Sequence, residues 1–187
     1  MNGNGTDMIM QVDMEQLNRR NFRSLLQALS RPGTEHPLYP LYGSVVMAAA
    51  SLLLYAEVSF FEDAAVDWKL IQALTGSLRR GAEEADYLFF DDPSLQGLRW
   101  ARTGESRNPE SGATLLFRCQ DLQAGSRVQL SGPGIDGSLE TILPVSRSFL
   151  DLRAVKNRHF PTGVDCFFLS DKKEVLGIPR STVVKIL

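Results

Sequence analysis

Apolar positions along the chain change their period several times, and each change marks an element. Over "NFRSLLQALS", Phe22, Leu25, Leu26 and Leu29 fall at i, i+3, i+4 and i+7, which is one face of a helix. Asp13, with Gln16 three residues on, reads as the capping box that starts this helix. "RPG" (31–33) stops it, since proline cannot continue a helix and glycine accepts a left-handed turn. A proline-broken loop (34–43) leads to the apolar run "VVMAAASLLLYA" (45–56). At 12 residues the run is too short to span a bilayer and reads as a buried helix. "EVSFF" (57–61) predicts a strand. "VDWKLIQALTGSL" predicts a helix with Trp68, Ile71 and Leu74 on one face. "ADYLFF" (85–90) is a strand closed by "DDP", and 93–101 is a short helix.

The texture shifts after residue 102. A loop (103–112) precedes strands over 113–117, 126–132 and 137–143. "SRSFLDLRAVKNRHF" (146–160) predicts a helix, with Phe149, Leu152 and Val155 at three-residue spacing. "GVDCFFLSD" (163–171) is an inner strand, and two short strands close the chain. Helices and strands alternate, and most strands are too apolar for one-sided exposure. The expected class is α/β, a layered mixed β-sheet flanked by helices. With 187 residues, one domain over 12–187 is expected, behind a polar, disordered segment over 1–11.

Charge adds one asymmetry. Net charge is −2, which disfavours nucleic acid as a partner. Residues 1–93 carry 7 Lys and Arg against 13 Asp and Glu, whereas 94–187 carry 13 against 9. The basic half suits an anionic ligand or an acidic partner. The start "MNGNGTDMIM" lacks a basic segment and a long apolar stretch, so neither a secretory leader nor a membrane anchor is expected. Cys119 and Cys166 sit in apolar runs as free thiols, which fits the reducing cytoplasm.

Several chemistries lack their residues. His36 and His159 have no partner at metal-ligand spacing, so no metal site is expected. There is no G-x-S-x-G, no phosphate-binding G-x-x-x-x-G-K-[ST] and no G-x-G-x-x-G opening a helix after a strand. "SDKK" (170–173) matches S-x-x-K only by its brevity. No catalytic residue is assigned.

Four stretches remain as candidates, each with a structural alternative. "LSGPGIDG" (130–137) offers the amides of Gly132, Gly134 and Gly137, with Ser131 beside them, to an anion, or else forms a stiff turn. Pro133 removes one N–H, and a strand follows instead of a helix N-terminus, which weakens the anion reading. "NRHFPTGVD" (157–165) brings Asn157, Arg158, His159 and Asp165 beside a glycine turn, as an anion pocket or as a helix cap. "GIPRST" (177–182) places Arg180 and Ser181 after a proline, for phosphate or as a solvated turn. Arg31 lies at a helix C-terminus, where a cation is favoured in any case.

Taken in order, "NFRSLLQALSRPG", "ADYLFF", "PESGATLLF", "LSGPGI", "NRHFPTGVDCFFL" and "IPRST" resemble the PhnH subunit family of the phosphonate carbon–phosphorus lyase system, from about residue 12 onwards. The resemblance implies a reduced version of the large domain of pyridoxal-phosphate-dependent transferases, without bound pyridoxal phosphate. It implies a homodimer that assembles with PhnG, PhnI and PhnJ. With the ATPase-like PhnL, PhnG, PhnH and PhnI attach an alkylphosphonate to the ribose of ATP, displacing adenine, to give alpha-D-ribose 1-methylphosphonate 5-triphosphate. The implied role here is scaffolding or support of a site that takes a phosphonate or nucleotide, and the isolated chain is expected to be inactive. A stand-alone phosphonate- or phosphate-ester-binding protein or enzyme is the alternative. Lys69, Lys156, Lys172, Lys173 and Lys185 are the five lysines, and none is expected at the end of an apolar strand in a glycine-hydroxyl loop, where a Schiff-base lysine belongs. Arg158, His159 and Arg180 are expected to converge near the 132–134 turn as an anion or partner site.

Overall fold

The computed structural model describes the backbone of residues 4–187 and the side chains from residue 13 onwards. Its first half holds α1 (Asn4–Ser30), β1 (Glu35–Pro37), α2 (Val45–Leu53), β2 (Ser59–Asp63), α3 (Trp68–Thr75), β3 (Leu78–Arg79) and β4 (Tyr87–Phe90). Then come α4 (Leu95–Trp100), β5 (Thr114–Cys119), β6 (Ser126–Ser131), β7 (Leu139–Leu143), α5 (Arg147–Lys156), β8 (Asp165–Ser170), β9 (Glu174–Ile178) and β10 (Val183–Ile186). The main sheet has the order β1-β9-β8-β5-β4-β2-β3. β3, β2, β4, β5 and β8 run parallel, while β9 is antiparallel to both of its neighbours. β10-β6-β7 form a separate antiparallel sheet. The expected mixed sheet flanked by helices is therefore present.

Both faces of the large sheet are covered, which is why its strands are apolar throughout. Phe89, Leu116, Phe167 and Leu169 point to one face, among buried residues of α1, α2 and α3. Leu88, Phe90, Leu115, Phe117, Cys166 and Phe168 point to the other, against α4, α5 and the small sheet. Phe117 is the hub of that second core, with ring centroids 5.7 Å from Phe90, 5.8 Å from Phe168 and 5.4 Å from Phe149. α2 lies within the first core, so Val45 to Ala50 are all buried, as the apolar run demanded.

Some expectations need correction. α1 starts at Asn4, so Asp13 is interior to the helix and caps nothing. The polar start expected over 1–11 falls on residues 1–3, outside the described residues, and on the first turns of α1. The face of α1 that is buried is Asn21, Ser24, Leu25 and Ala28, while Phe22 and Leu26 stand 46% and 55% exposed. Close approach explains the choice. A Cβ on Gly177 of β9 would lie 2.6 Å from the Ala28 carbonyl oxygen, so the helix backbone approaches the sheet closely at Ala28 and admits only a small residue there. Asn21 is tolerated there because its side chain donates to the Tyr39 carbonyl (2.7 Å) and accepts from the Tyr39 amide (2.8 Å). Two short edge strands, β1 and β3, carry no sequence signal of their own. The helix expected over 146–160 ends at Lys156, where Asn157 caps it.

Candidate functional site

The sequence-derived candidates gather at one edge of the main sheet, where the parallel strands begin. Asp165 is the first residue of β8, and Arg180 follows the end of antiparallel β9, so the two meet. Arg180 Nε and Nη2 donate to Asp165 Oδ2 at 3.0 and 2.6 Å, and the Arg180 amide donates to Oδ1 at 2.7 Å. Nη1 and Nη2 also donate to the carbonyls of Pro109 (2.7 Å) and Gly112 (3.5 Å). The two side chains are only 15% and 19% exposed. Four hydrogen bonds thus engage a side chain with five N–H groups, so Arg180 is an internal clamp, neither a solvated turn nor a free anion ligand.

A second clamp stands beside it. Asp86, just before β4, accepts from the Ser59 amide (2.7 Å) and Ser59 Oγ (2.6 Å) through Oδ2. Arg102 pairs with Oδ1 of the same carboxylate and donates to the Ser111 carbonyl (2.6 Å). The segment 109–112, "PESG", is therefore held from both sides by two arginines. This role is not visible in the motif itself.

The glycine-rich turn packs onto the same edge. Gly132 has φ +125°, and a Cβ there would lie 2.9 Å from the Ser181 carbonyl oxygen. Gly134 has φ +83°, and a Cβ there would lie 2.2 Å from the Ser30 carbonyl oxygen. The glycines permit backbone-to-backbone contact with the end of α1 and with the 179–182 turn. Arg31 belongs to that α1 turn and is exposed, while Ser131 is half-buried at the end of β6. Beneath the 179–182 turn, Arg153 is buried and donates to the carbonyls of Ile178, Pro179 and Thr182 at 3.5, 2.6 and 3.2 Å. Burial lowers its pKa from the ordinary value.

Asn157 fixes the loop after α5. Its side chain donates to the Val164 carbonyl (3.1 Å) and accepts from the Val164 amide (2.8 Å), closing the loop as a strand pair would. Gly163 touches both Asn157 and Arg180: a Cβ there would lie 2.6 Å from Asn157 Oδ1 and 3.2 Å from Arg180 Cβ. Gly132, Ser181, Arg180, Asp165 and Asn157 are thus in continuous contact. Arg158 and His159 are not part of this packing and lie exposed on the loop's outer side.

The opposite edge, where β5 and β8 end, was missed as a candidate. A cleft of about 300 Å³ lies there, lined by Ser44, Val66, Arg118, Asp171 and Lys173 among others. Arg118 Nε donates to Asp171 Oδ1 at 2.8 Å, and Asp91 lies 3.6 Å away. The Asp171 hydrogen bond, before any other influence, raises the Arg118 pKa above its ordinary value. Ser44 caps α2, accepting from the amides of Val46 and Met47 at 3.1 and 3.4 Å. Lys172 and Lys173 lie after Asp171 in the turn between β8 and β9, and that turn holds no glycine. Lys172 Nζ donates to Asp121 at 2.6 Å. "DDP" and "SDKK" were the available signals, since each follows an apolar strand at the edge where open α/β sheets bind ligands. Among the described residues, no cluster of three or more His, Cys, Asp and Glu is placed to hold a metal ion.

A family model described as bacterial phosphonate metabolism protein (PhnH) matches residues 11–185. The chain belongs to the PhnH family. It is also similar to a putative C-P lyase subunit protein, HtxG, of Stutzerimonas stutzeri, with 32% identity over 175 residues. That alignment covers 88% of this chain and 84% of HtxG. The PhnH match spans both sheet edges and every candidate residue, so the clamps and the glycine turn lie within the family's own region.

Proposed function

We propose that this chain is a subunit of the phosphonate carbon–phosphorus lyase core machinery. In this reading it works with PhnG, PhnI, PhnJ and PhnL to form alpha-D-ribose 1-methylphosphonate 5-triphosphate from ATP and an alkylphosphonate. Its part is to scaffold the assembly or support the substrate site, as a homodimer before assembly, and alone it turns nothing over. The PhnH match over 11–185 carries this reading, and the likeness to a putative C-P lyase subunit agrees with it. The state of the arginines agrees too. Arg180, Arg102 and Arg153 spend their donors on the chain's own carboxylates and carbonyls, as a scaffold requires. We read the sheet as a reduced pyridoxal-phosphate-transferase large domain, a likeness supported by its one antiparallel strand beside a parallel set. We place the assembly in the cytoplasm, where its substrate ATP is found. Among the described residues no helix is long and apolar enough to cross a membrane.

The test is adenine release from ATP in the presence of methylphosphonate. The mixture of all five subunits is expected to release adenine, and omission of this chain to abolish it. Release by the chain alone makes it a stand-alone enzyme and overturns the proposal. Undiminished release by the other four overturns it as well.

A further inference from the structure

The loop after α5 combines rigidity with exposure in a way the fold does not require. Among the described residues Phe160 is the most exposed large apolar side chain, at 66%. Arg158, His159 and Pro161 beside it are exposed as well, and so is Val155 on the last turn of α5. A mobile loop with such a tip would need no explanation. This one is held at its base by the two Asn157–Val164 hydrogen bonds (2.8 and 3.1 Å). Across its tip, Thr162 Oγ1 and the Thr162 amide both donate to the His159 carbonyl, at 2.6 and 3.0 Å. The Gly163 amide donates to the Thr103 carbonyl at 2.7 Å, and the backbone of Gly163 lies against Arg180, whose guanidinium is fixed by Asp165. The network of the sheet edge therefore ends in a fixed pedestal for three outward side chains.

A protein surface uses such a pedestal for recognition. Association costs ordering entropy, and a contact already held in shape avoids much of that cost. The side chains presented are an aromatic and an arginine, two of the residue types that dominate binding energy at interfaces. The exposed charge of the loop is Arg158, since Arg153 is buried and Lys156 Nζ donates to the Arg99 and Ala101 carbonyls, and residues 157–164 contain no carboxylate. A second copy meeting this loop about a two-fold axis sets like charges against each other, so a self-contact is disfavoured.

We propose that residues 158–161 are the anchor by which this subunit seats on a different protein, one that offers an apolar pocket rimmed by carboxylates. Phe160 fills the pocket and Arg158 pairs with the rim. The inference rests on the reading that the chain works as a subunit, and it names the contact.

The test uses the tagged full-length chain co-expressed with the other subunits of the proposed assembly, with the co-purified mass as readout. Wild type is compared with Phe160→Ser, Arg158→Glu and a control, Leu78→Ser, on the outermost strand β3. The isolated chains are also weighed by light scattering and melted. Both loop variants are expected to keep the wild-type melting temperature and to bind at least about tenfold more weakly. The control is expected to bind as wild type does. Arg158→Glu keeps the test decisive should Phe160→Ser fold poorly. Capture of both loop variants at wild-type strength overturns the anchor and leaves the subunit reading intact. Capture of nothing by wild type overturns both. A loop variant that turns a dimer into a monomer while keeping its partners assigns the loop to self-association and overturns the anchor.

Discussion

The two edges of the main sheet carry the same chemical pair in opposite settings. Where the parallel strands begin, Asp165 and Arg180 are mostly buried, and the guanidinium is also tied to two backbone carbonyls. Where they end, Arg118 and Asp171 are 41% and 42% exposed, and the nearest further charge is Asp91 at 3.6 Å. An arginine beside an aspartate therefore says nothing by itself about role. What differs is the fate of the groups if one partner goes. At the first edge the survivor is left largely shielded from water, while at the second it is readily hydrated. The first pair holds loops together, and the second lines a cleft while adding little to stability.

Breaking the first pair gives the largest expected effect. Asp165→Ala leaves a mostly buried guanidinium unpaired and is expected to cost about 3–4 kcal/mol. The shift in urea midpoint at constant slope measures it. A loss below about 1 kcal/mol equates the two edges and ends the contrast. Arg153→Ala comes next, at about 3 kcal/mol, because three carbonyls beneath the 179–182 turn lose their donor and a cavity opens. Amide exchange in β10 should accelerate before exchange in β5 if Arg153 holds that turn.

The two thiols report on the edges separately. Cys166 follows Asp165 at the buried edge, and Cys119 follows Arg118 at the cleft edge. Burial pushes each from an ordinary 9.0 up to about 12. Each is an acid whose folded pKa is raised, so its contribution is complete below pH 9 and is lost as pH rises towards 12. The loss is roughly 1 kcal/mol per thiol at pH 10. Lys156, whose pKa burial lowers, acts with the opposite sign in the same alkaline range. Cys166→Ala and Cys119→Ala should therefore each flatten the fall of stability between pH 9 and 11. At pH 8 a disulfide reagent should label Cys119 through local opening and Cys166 only through global unfolding. Equal labelling rates contradict a looser cleft edge.

Much of this architecture was legible in the chain, and the exceptions share a cause. "YLFF", "TLLFRC" and "DCFFLS" announced strands buried on both faces because each is apolar without alternation. The α2 run announced a buried helix for the same reason. On α1, Leu25 and Leu29 pack inward as their spacing predicts, but close approach to Gly177 turns small Ser24 and Ala28 inward in place of Phe22 and Leu26. The site was legible as a set of motifs but not as a geometry. Arg180 looked free because its partner Asp165 is 15 residues away, and the 109–112 segment between two arginines is about 70 residues away. Short-range pattern reading cannot see such pairs. The cleft edge was passed over because "DDP" and "SDKK" are ordinary as strings, and only the strand direction gives them a place.

The smallest expected effect completes the contrast. Arg118→Ala removes a guanidinium from Asp171 and Asp91, all of them partly in water. Exposed pairs of this kind contribute at most about 1 kcal/mol, and long side chains lose entropy to form them. The urea midpoint should move little, and 1 M salt should erase most of the difference by screening. A loss as large as that of Asp165→Ala, persisting in salt, makes Arg118 a clamp like Arg180 and the cleft a structural seam. A small, salt-sensitive loss leaves Arg118 able to exchange its carboxylates for another anion at little cost to the fold, which its buried counterpart cannot do.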